Sequence, residues 1–224
     1  AVSRDVTERT ERRRQLERQN ERLERFTSVV SHDIRNPLNV VDGRLKLAQQ
    51  ECDSPHLDDA VSALDRSFSL IDDVLTLARE GRVVSEPEPV DLASVCREHW
   101  RTIETAEATL TTDVDRRIRA DPARLGQLFE NLVGNAIEHA GADVRVRVGE
   151  LDDGFYVADD GTGIPPGDRE AVFDAGYSTA DRGTGFGLRI VEVIADAHGW
   201  AVGATDSSEG GTRFEITGAE HPGR

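Results

Sequence analysis

The period of the hydrophobic residues changes once along this chain, at the proline-rich segment SEPEP, residues 85–89. Before this segment, apolar residues recur at the spacing of one face of an α-helix. After it, alternating runs such as VRVRV at 144–148 predict β-strands between further helical segments. We therefore expect two domains of different class, one helical and one mixed α/β, joined by a linker at 83–89.

The helical part is predicted to contain two helices joined by a turn at CDSPH, residues 52–56. Apolar residues recur every seven positions in the first helix, at Leu16, Leu23 and Val30. This heptad pattern predicts a short coiled coil over 1–26, with a solvated amphipathic helix as the alternative. The second helix is predicted over 57–80. Two helices cannot bury their apolar stripes alone, so we expect the hairpin at 27–82 to form a four-helix bundle with a second copy.

The mixed part is predicted to be one α/β domain over 90–218, followed by a short tail at 219–224. Helices are predicted from Leu92 to about Thr105, from Pro122 to about His139 and from Leu188 to His198. Strands are predicted at 109–114, 117–120, 144–148, 154–158, 200–205 and 212–217. Residues 160–187 are glycine-rich and irregular, and a loop of that length inside a compact domain is more often functional than structural.

The chain is acidic, with a formal net charge of −16, and only one of its 27 basic residues, Lys46, is a lysine. This charge argues against a nucleic-acid-binding surface, which requires a basic face. An acidic, lysine-poor surface suits concentrated salt, so a halophilic archaeon is the expected source. A GC-rich genome is the alternative, and it explains the arginine but not the acidity. No apolar run approaches the about 18 residues of a membrane helix, and the two cysteines form no CxxC, so a soluble cytoplasmic protein is expected.

A histidine beside an aspartate stands in the string SHDIRNPL, residues 31–38. The imidazole of His32 can accept a phosphoryl group near neutral pH if one ring nitrogen keeps its lone pair. The adjacent carboxylate of Asp33 can take the proton of the other nitrogen and raise the nucleophilicity of the ring. Asn36 follows one helical turn after His32 on the same face, where it can orient a water. An exposed helical histidine without a chemical role is the alternative.

Three strings in the mixed part offer the components of a nucleotide pocket. NLVGNA, at 131–136, places Asn131 and Asn135 on one helix face, and amide oxygens are ligands that Mg²⁺ accepts. DDGTGIP, at 159–165, comes after a predicted strand and has glycines that let the backbone approach a ring closely. GTGFGL, at 183–188, opens a helix whose N–H groups can cradle phosphates. In this order the strings favour a phosphoryl-transfer protein.

With the His32 string, these motifs make the chain resemble the sensor histidine kinases of two-component signalling, from about residue 20 to residue 217. SHDIRNPL resembles their H box, and the mixed α/β part resembles their Bergerat-type ATP-binding domain. The resemblance implies an α+β two-domain protein: a helical hairpin forming a dimeric four-helix bundle, then an α/β sandwich of the Bergerat type. It implies that His32 is the phospho-accepting histidine and Asp33 its base. It also implies that Asn36 positions water when the kinase dephosphorylates its response regulator.

The resemblance further implies a site for ATP and Mg²⁺. Asn131 is the implied Mg²⁺ ligand, Asn135 faces the phosphates, and Asp159 accepts from the exocyclic amine of adenine. The other positions implied in the nucleotide site are Gly161, Gly163, Ile164, Phe173, Arg182, Gly183, Thr184, Gly185, Phe186, Gly187, Leu188 and Thr212. Phe173 is expected to pack the loop against the pocket, and Thr212 is expected at the edge of the sheet.

One departure from the family pattern lies at the end of the helix that carries the two asparagines. Many members have a lysine and a tyrosine where this chain has Glu138 and His139. Both residues stay candidates for the nucleotide site, but they lack the usual positive charge toward the phosphates. Arg182, in the loop before GTGFGL, is the expected alternative source of that charge.

The expected function is an ATP-dependent protein-histidine autokinase that passes the phosphoryl group from His32 to an aspartate of a response-regulator receiver domain. Response-regulator phosphatase activity is a second expectation. The expected partners are a second copy of the chain and an upstream sensor domain. The string DVTER at 5–9 resembles the tail that often follows a PAS sensor domain, so a PAS domain is the expected type. Two alternatives stay open: a nucleotide-binding dimeric scaffold without kinase activity, and a Bergerat-fold ATPase or serine kinase without a histidine acceptor. Glu138 and His139 favour the scaffold, whereas the complete glycine boxes and the His32–Asp33 pair oppose it.

Overall fold

The computed structural model describes residues 33–52, 54–77, 87–103, 105, 107–178 and 185–219. The chain divides into two compact units, Ala1–Glu80 and Gly81–Arg224. Within the described residues, the first unit contains helices, and the second contains a five-stranded mixed sheet, a two-stranded sheet and three α-helices. The boundary between the two units lies a few residues before the proline-rich segment 85–89.

In the first unit, helix α1 comprises residues 33–51 of those described, and helix α2 spans Pro55–Leu77. α2 begins at Pro55 rather than at the predicted residue 57, because proline suits the first helical position, where its missing N–H costs nothing. Gln49 Nε2 donates to Asp58 Oδ1 at 2.8 Å, which ties the end of α1 to the start of α2. The helical hairpin is therefore confirmed, while the coiled coil predicted over 1–26 lies outside the described residues.

The apolar faces of this hairpin stay open to solvent. Within the described part of the chain, the exposed large hydrophobic side chains all belong to α1 and α2: Ile34, Val40, Val41, Leu47, Leu70 and Val74. Val40 is 63% exposed and Leu47 is 53% exposed. Burial of one such side chain contributes about 1.5–3 kcal/mol. The hairpin alone thus leaves much of its hydrophobic stabilisation unused.

The second unit is built on a five-stranded sheet with the order β2-β4-β5-β7-β6. Its strands are β2 (Thr109–Asp113), β4 (Arg145–Leu151), β5 (Gly154–Asp159), β6 (Ala201–Asp206) and β7 (Thr212–Thr217). β2 pairs with β4 in parallel, and the other pairs are antiparallel. A separate two-stranded antiparallel sheet consists of β1 (Glu88–Asp91) and β3 (Arg117–Ala120).

Three helices pack on one face of the larger sheet: α3 (Leu92–Trp100), α4 (Pro122–Ala140) and α5 (Gly187–His198). The strands alternate accordingly, since Val146 and Val148 are buried while Arg145 and Arg147 are exposed on the other face. The core side chains that are almost fully buried include Leu125, Leu128, Phe129, Leu132, Phe155, Ile190, Ile194 and Ile216. This two-layer arrangement confirms the predicted α/β sandwich.

The starts of α3 and α4 are set by aspartate caps. The Asp91 carboxylate accepts from the Ser94 N–H at 2.8 Å. The Asp121 carboxylate accepts from the Ala123 N–H at 3.0 Å, with a proline in the first turn. Replacing such a cap by alanine typically costs about 1 kcal/mol, so these residues fix where each helix begins.

Helix α3 ends at Trp100, earlier than the predicted end near Thr105. The Thr102 hydroxyl donates to the His99 carbonyl at 2.7 Å, and the Thr102 N–H donates to the same carbonyl at 3.0 Å. A hydroxyl that takes a helix carbonyl competes with continuation of the helix. The prediction was wrong here because a local side-chain bond outweighs the helical pattern.

Two features of the sheets differ from the expectations. Strand β1 includes Pro89, which the sequence assigns to the linker, and Pro89 pairs with Arg119 of β3. Proline is tolerated there because this sheet has only edge strands. Thr212 was expected at the edge of the large sheet, but β7 lies between β5 and β6 and Thr212 is buried. That prediction is wrong because β7, with Phe214 and Ile216 turned inward, takes the inner position and leaves β6 at the edge.

Among the helices that the structure describes, none is long and apolar enough to cross a membrane. Both cysteines are free thiols, Cys52 exposed and Cys96 buried. Burial raises the pKa of the Cys96 thiol to about 12, so this thiol stays protonated and acts as a small core residue.

Candidate functional site

Asp159 ends strand β5, and only 8% of the residue is exposed. Its Oδ1 accepts two backbone N–H bonds, from Gly161 at 2.9 Å and from Thr212 at 3.1 Å. Burial raises the pKa of this carboxyl, while the two N–H bonds and the charge of His139 act to lower it. Because both bonds use Oδ1, Oδ2 is the oxygen left to receive a ligand's donor. A buried carboxylate fixed from two chain segments is a directional acceptor.

The backbone approaches Asp159 so closely that glycine is required on both sides of it. A Cβ on Gly161 would lie 2.4 Å from the Ala140 Cβ, at the end of α4. Gly211 has a φ of +75°, and a Cβ on it would lie 2.3 Å from Asp159 Oδ1. Gly163 also has a φ of +75°, and its Cβ position lies 3.1 Å from the Gly211 carbonyl oxygen. These glycines form the wall around the carboxylate.

Asn131 of α4 turns its amide toward the first residue of α5. Its Nδ2 donates to the Gln127 carbonyl at 2.8 Å, which fixes the amide plane. Its Oδ1 lies 3.3 Å from the position of a Cβ on Gly187. Asn135 is half-buried one turn further along α4. Among the described residues, no group of three His, Cys, Asp or Glu side chains is arranged to hold a metal ion.

The N-terminus of α5 is formed by glycines and has no capping side chain. Gly185 has a φ of +71°, and its carbonyl accepts from the Gly176 N–H at 2.9 Å. Phe186, at the N-cap position, makes no side-chain cap bond. Gly187 and Leu188 come next, as half-buried residues of the first turn. A helix end of this kind presents backbone N–H groups and the positive end of the helix dipole to an anion.

Glu138 and His139 occupy exposed positions at the end of α4. Burial raises the pKa of the Asp159 carboxyl, and the charge of His139 acts against that rise, so the imidazole lies within electrostatic reach of the carboxyl group. Electrostatics thus links His139 to Asp159, on the side of the site where α4 ends.

The loop after β5 is anchored to the sheet in its first half. Arg169 Nε donates to the Ile164 carbonyl at 3.2 Å, and its guanidinium pairs with Asp206 at the end of β6. Phe173 lies in a short 3₁₀ helix, Ala171–Phe173, and packs edge-on against Phe214 with 6.4 Å between the ring centroids. These contacts fix Ile164 relative to the end of β6 and Phe173 relative to the inner strand β7.

Four predicted site residues lie outside the described residues: His32, Arg182, Gly183 and Thr184. Asp33 and Asn36 lie on α1 and are exposed. In the second unit, the structure gathers Gly161, Gly163 and Thr212 around Asp159. It places Asn131 against the start of α5.

Sequence reasoning missed the roles of Gly211 and Asp160. Asp160 accepts from the backbone N–H and the Nε of Arg145, both at 2.7 Å. It therefore fixes the start of β4 beside the end of β5. The two consecutive aspartates at the end of a predicted strand were the sequence signal that could have indicated the role of Asp160. The role of Gly211 depends on the approach of β7 to β5, which no local pattern encodes.

Two domain families match the chain. Residues 22–82 match the His Kinase A (phospho-acceptor) domain. Residues 120–220 match the histidine kinase-, DNA gyrase B-, and HSP90-like ATPase. The chain contains the two domains of a histidine kinase.

This histidine kinase chain is similar to histidine kinases of several organisms. It is 31% identical over 221 residues to the signal transduction histidine-protein kinase/phosphatase MprB of Mycolicibacterium smegmatis, covering 88% of the chain and 45% of MprB. It is 30% identical over 215 residues to the methanogenesis regulatory histidine kinase FilI of Methanothrix harundinacea, covering 84% of the chain and 24% of FilI. The crystal structure of full-length ShkA in complex with AMPPNP matches with a TM-score of 0.64 and 30% identity, covering 88% of the chain and 46% of ShkA. The chain thus spans less than half the length of each of these relatives.

Proposed function

We propose that this chain is the kinase core of a sensor histidine kinase that phosphorylates its own His32 with ATP. The phosphoryl group then passes to an aspartate of a response-regulator receiver domain. His32 falls within the match to the phospho-acceptor domain, residues 22–82. The observation that carries the proposal is the Asp159 carboxylate, buried and held by two N–H groups inside an ATPase-type domain.

ATP fits between the wall around Asp159 and the start of α5. Ala140, at the end of α4, lies beside Gly161, and the side chain of Asn131 lies beside Gly187 at the start of α5. These two points are about 14 Å apart by the helical rise, a span that suits an extended nucleoside triphosphate. Oδ2 of Asp159 accepts from the adenine amine, and the phosphates extend toward Gly185, Phe186, Gly187 and Leu188. Asn135 is proposed to face the phosphates; Arg182, Gly183 and Thr184, which lie outside the described residues, are proposed as further phosphate contacts.

The Asn131 amide oxygen would hold Mg²⁺, and the ion would supply charge neutralisation at the phosphates. At the acceptor, Asp33 takes the proton of one imidazole nitrogen of His32. The other nitrogen forms the N–P bond as the bond from the γ-phosphorus to the bridging oxygen of ADP breaks. Asn36 orients water for the opposing activity, the hydrolysis of the phosphorylated response regulator.

We further propose the setting in which this core works. The open apolar faces of α1 and α2 support pairing with a second copy as a four-helix bundle. The part of the relatives that the chain does not span leaves room for a sensor domain, for which DVTER at 5–9 supports the PAS type. The acidic, lysine-poor composition supports a halophilic archaeal source, and the free cysteines support a reducing cytoplasm.

Transfer of label from γ-labelled ATP tests the kinase proposal. Wild type, His32→Gln and His56→Gln are incubated with ATP and Mg²⁺ at high salt, and ATP binding is measured separately for each. His56 is an exposed histidine at the start of α2 and serves as the matched control. We expect acid-labile, base-stable label on wild type and His56→Gln and none on His32→Gln, with ATP binding unchanged in all three.

Label that persists on His32→Gln would place the acceptor elsewhere and contradict the assignment. ATP binding by wild type without any label would instead favour the dimeric nucleotide-binding scaffold. An acid-stable label would favour a serine kinase.

A further inference from the structure

His198 joins the C-terminal end of α5 to the residue that caps α4. Its Nδ1 lies 2.7 Å from the Ile194 carbonyl oxygen, and its Nε2 accepts the Asp121 N–H at 3.0 Å. A backbone carbonyl can only accept, and a backbone N–H can only donate. The two partners therefore require a neutral ring with its proton on Nδ1. Both ring nitrogens are used in that state.

The ring of His198 is also held in place by stacking. Its centroid lies 4.1 Å from that of Trp200, and the two planes differ by 21°. Gly199 adopts a left-handed φ of +75° between them, which turns the chain at the end of α5. Trp200 is 5% exposed and meets Phe155 edge-on with 6.1 Å between centroids. Rotation of the imidazole away from Asp121 would break these contacts.

The same two helices meet again at the nucleotide end of the site. α4 and α5 pack against each other, with Asp121 beside His198 at one end and Asn131 beside Gly187 at the other. The helices are thus antiparallel, and the two contacts are about 15 Å apart by the helical rise. Several residues of these helices are almost fully buried: Leu125, Leu128, Leu132, Ile190 and Ile194. Such close packing transmits a displacement rather than absorbing it.

We propose that His198 is a positioning residue for nucleotide binding, whose neutral ring sets the register of α4 against α5 and so holds the Asn131 oxygen at the start of α5. This inference rests on the proposed ATP site. A protonated ring would turn an N–H toward the Asp121 N–H, and the bond between the helix ends would be lost. Nucleotide affinity therefore falls when His198 takes up a proton.

Two charged groups at the start of α4 act on this titration. Burial lowers the pKa of His198 below its ordinary 6.5; the Ile194 carbonyl and the Asp121 carboxylate act to raise it, and the Arg124 guanidinium lowers it. Because the pKa is lower in the folded chain than in the unfolded chain, the neutral ring's stabilisation is complete above about pH 6.5. It is lost as the pH falls below that value toward the folded-state pKa.

The test compares wild type with His198→Gln and His198→Phe. Glutamine keeps an amide acceptor near the place of Nε2 and does not titrate, whereas phenylalanine keeps a ring on Trp200 and removes both hydrogen bonds. ATP affinity is measured at about pH 7.5 and at about pH 4.5, a range that extends well below the ordinary histidine pKa because burial lowers the pKa of His198 in the fold. Hydrogen exchange of the Ile190 N–H, which donates to the Phe186 carbonyl in the first turn of α5, is measured without nucleotide.

We expect His198→Phe to bind ATP about tenfold more weakly than wild type at the higher pH, and His198→Gln to bind within about threefold of it. On acidification, wild type should lose about threefold more affinity than His198→Gln. Asp159 and His139 are present in both proteins, so this ratio isolates His198. The Ile190 N–H should exchange about tenfold faster in His198→Phe, although the substitution is at the far end of α5.

Equal pH dependence in wild type and His198→Gln would overturn the proposal, and so would wild-type affinity and exchange in His198→Phe. The glutamine comparison decides the matter if the phenylalanine variant does not fold. If wild type does not bind ATP at either pH, the proposed function fails, and exchange at Ile190 alone then decides whether His198 sets the register.

Discussion

At the scale of single residues, a substitution of Asp159 should change nucleotide recognition without lowering the stability of the fold. Asp159→Asn keeps an oxygen for the Gly161 and Thr212 N–H groups but replaces Oδ2 with an amide NH₂ group, which donates and cannot accept. Adenine presents an amine where guanine presents an oxygen, so the variant should bind ATP about tenfold or more weakly and lose its preference over GTP. Because burial raises the pKa of Asp159, its ionised form is disfavoured in the fold, and the melting temperature should stay equal or rise.

Titration calorimetry with ATP and GTP, together with thermal melting, checks this prediction. Asp152→Asn, in the exposed turn between β4 and β5, removes the same charge away from the site and is the control. Unchanged ATP preference in Asp159→Asn would contradict the assignment of Oδ2 to the adenine amine.

At the scale of elements, the turn into β7 must approach the end of β5 without side chains. Gly211→Ala places a methyl group 2.3 Å from Asp159 Oδ1 at a φ of +75°, so either the carboxylate or the strand must shift. We expect a loss of about 2 kcal/mol or more in the free energy of unfolding, from strain at a left-handed position plus the clash. ATP affinity should fall as well.

Urea unfolding measures the effect, with Gly203→Ala in β6 as the matched control. A Cβ on Gly203 meets nothing within 4 Å, so this variant should stay within about 0.5 kcal/mol of wild type. Equal stability of the two alanine variants would show that the Gly211 approach is not a constraint.

Local patterns predicted the elements whose causes are local. Asp121 and Pro122 mark the start of α4, and the burial of Asp159 results from its position at the end of an apolar strand. The position of β7 beside β5 depends on residues more than fifty positions apart, and the sequence around Thr212 does not encode it. The contact at His198 escaped prediction for the same reason, because its partner is the backbone of Asp121, 77 residues away.

At the scale of the whole molecule, the hairpin is predicted to pair with a second copy. Leu47→Glu places a charge at a 53%-exposed apolar position of α1 and should raise the dimer dissociation constant about tenfold or more. Gln50→Glu adds the same charge at an exposed polar position of the same helix and should leave pairing unchanged. Sedimentation velocity measures both, and an unaltered dimer in Leu47→Glu would contradict pairing through this face.

Salt should stabilise the chain as a whole. With a net charge of −16, self-repulsion disfavours the compact state, and molar KCl shortens the Debye length to about 3 Å. We expect the melting temperature to rise steadily between low salt and molar KCl. A melting temperature that stays constant or falls over this range would contradict the halophilic interpretation.

Among the described residues, the exposed large apolar side chains lie only on α1 and α2. The stabilities of the two halves of the chain should therefore depend differently on protein concentration. Pairing of hairpins is second order in protein, whereas folding of the sandwich is first order. A hundredfold dilution would weaken the paired state by about 2.7 kcal/mol and leave the sandwich unaffected. Under the proposed pairing, the stability of the half that carries His32 depends on protein concentration, whereas the stability of the half that carries Asp159 does not.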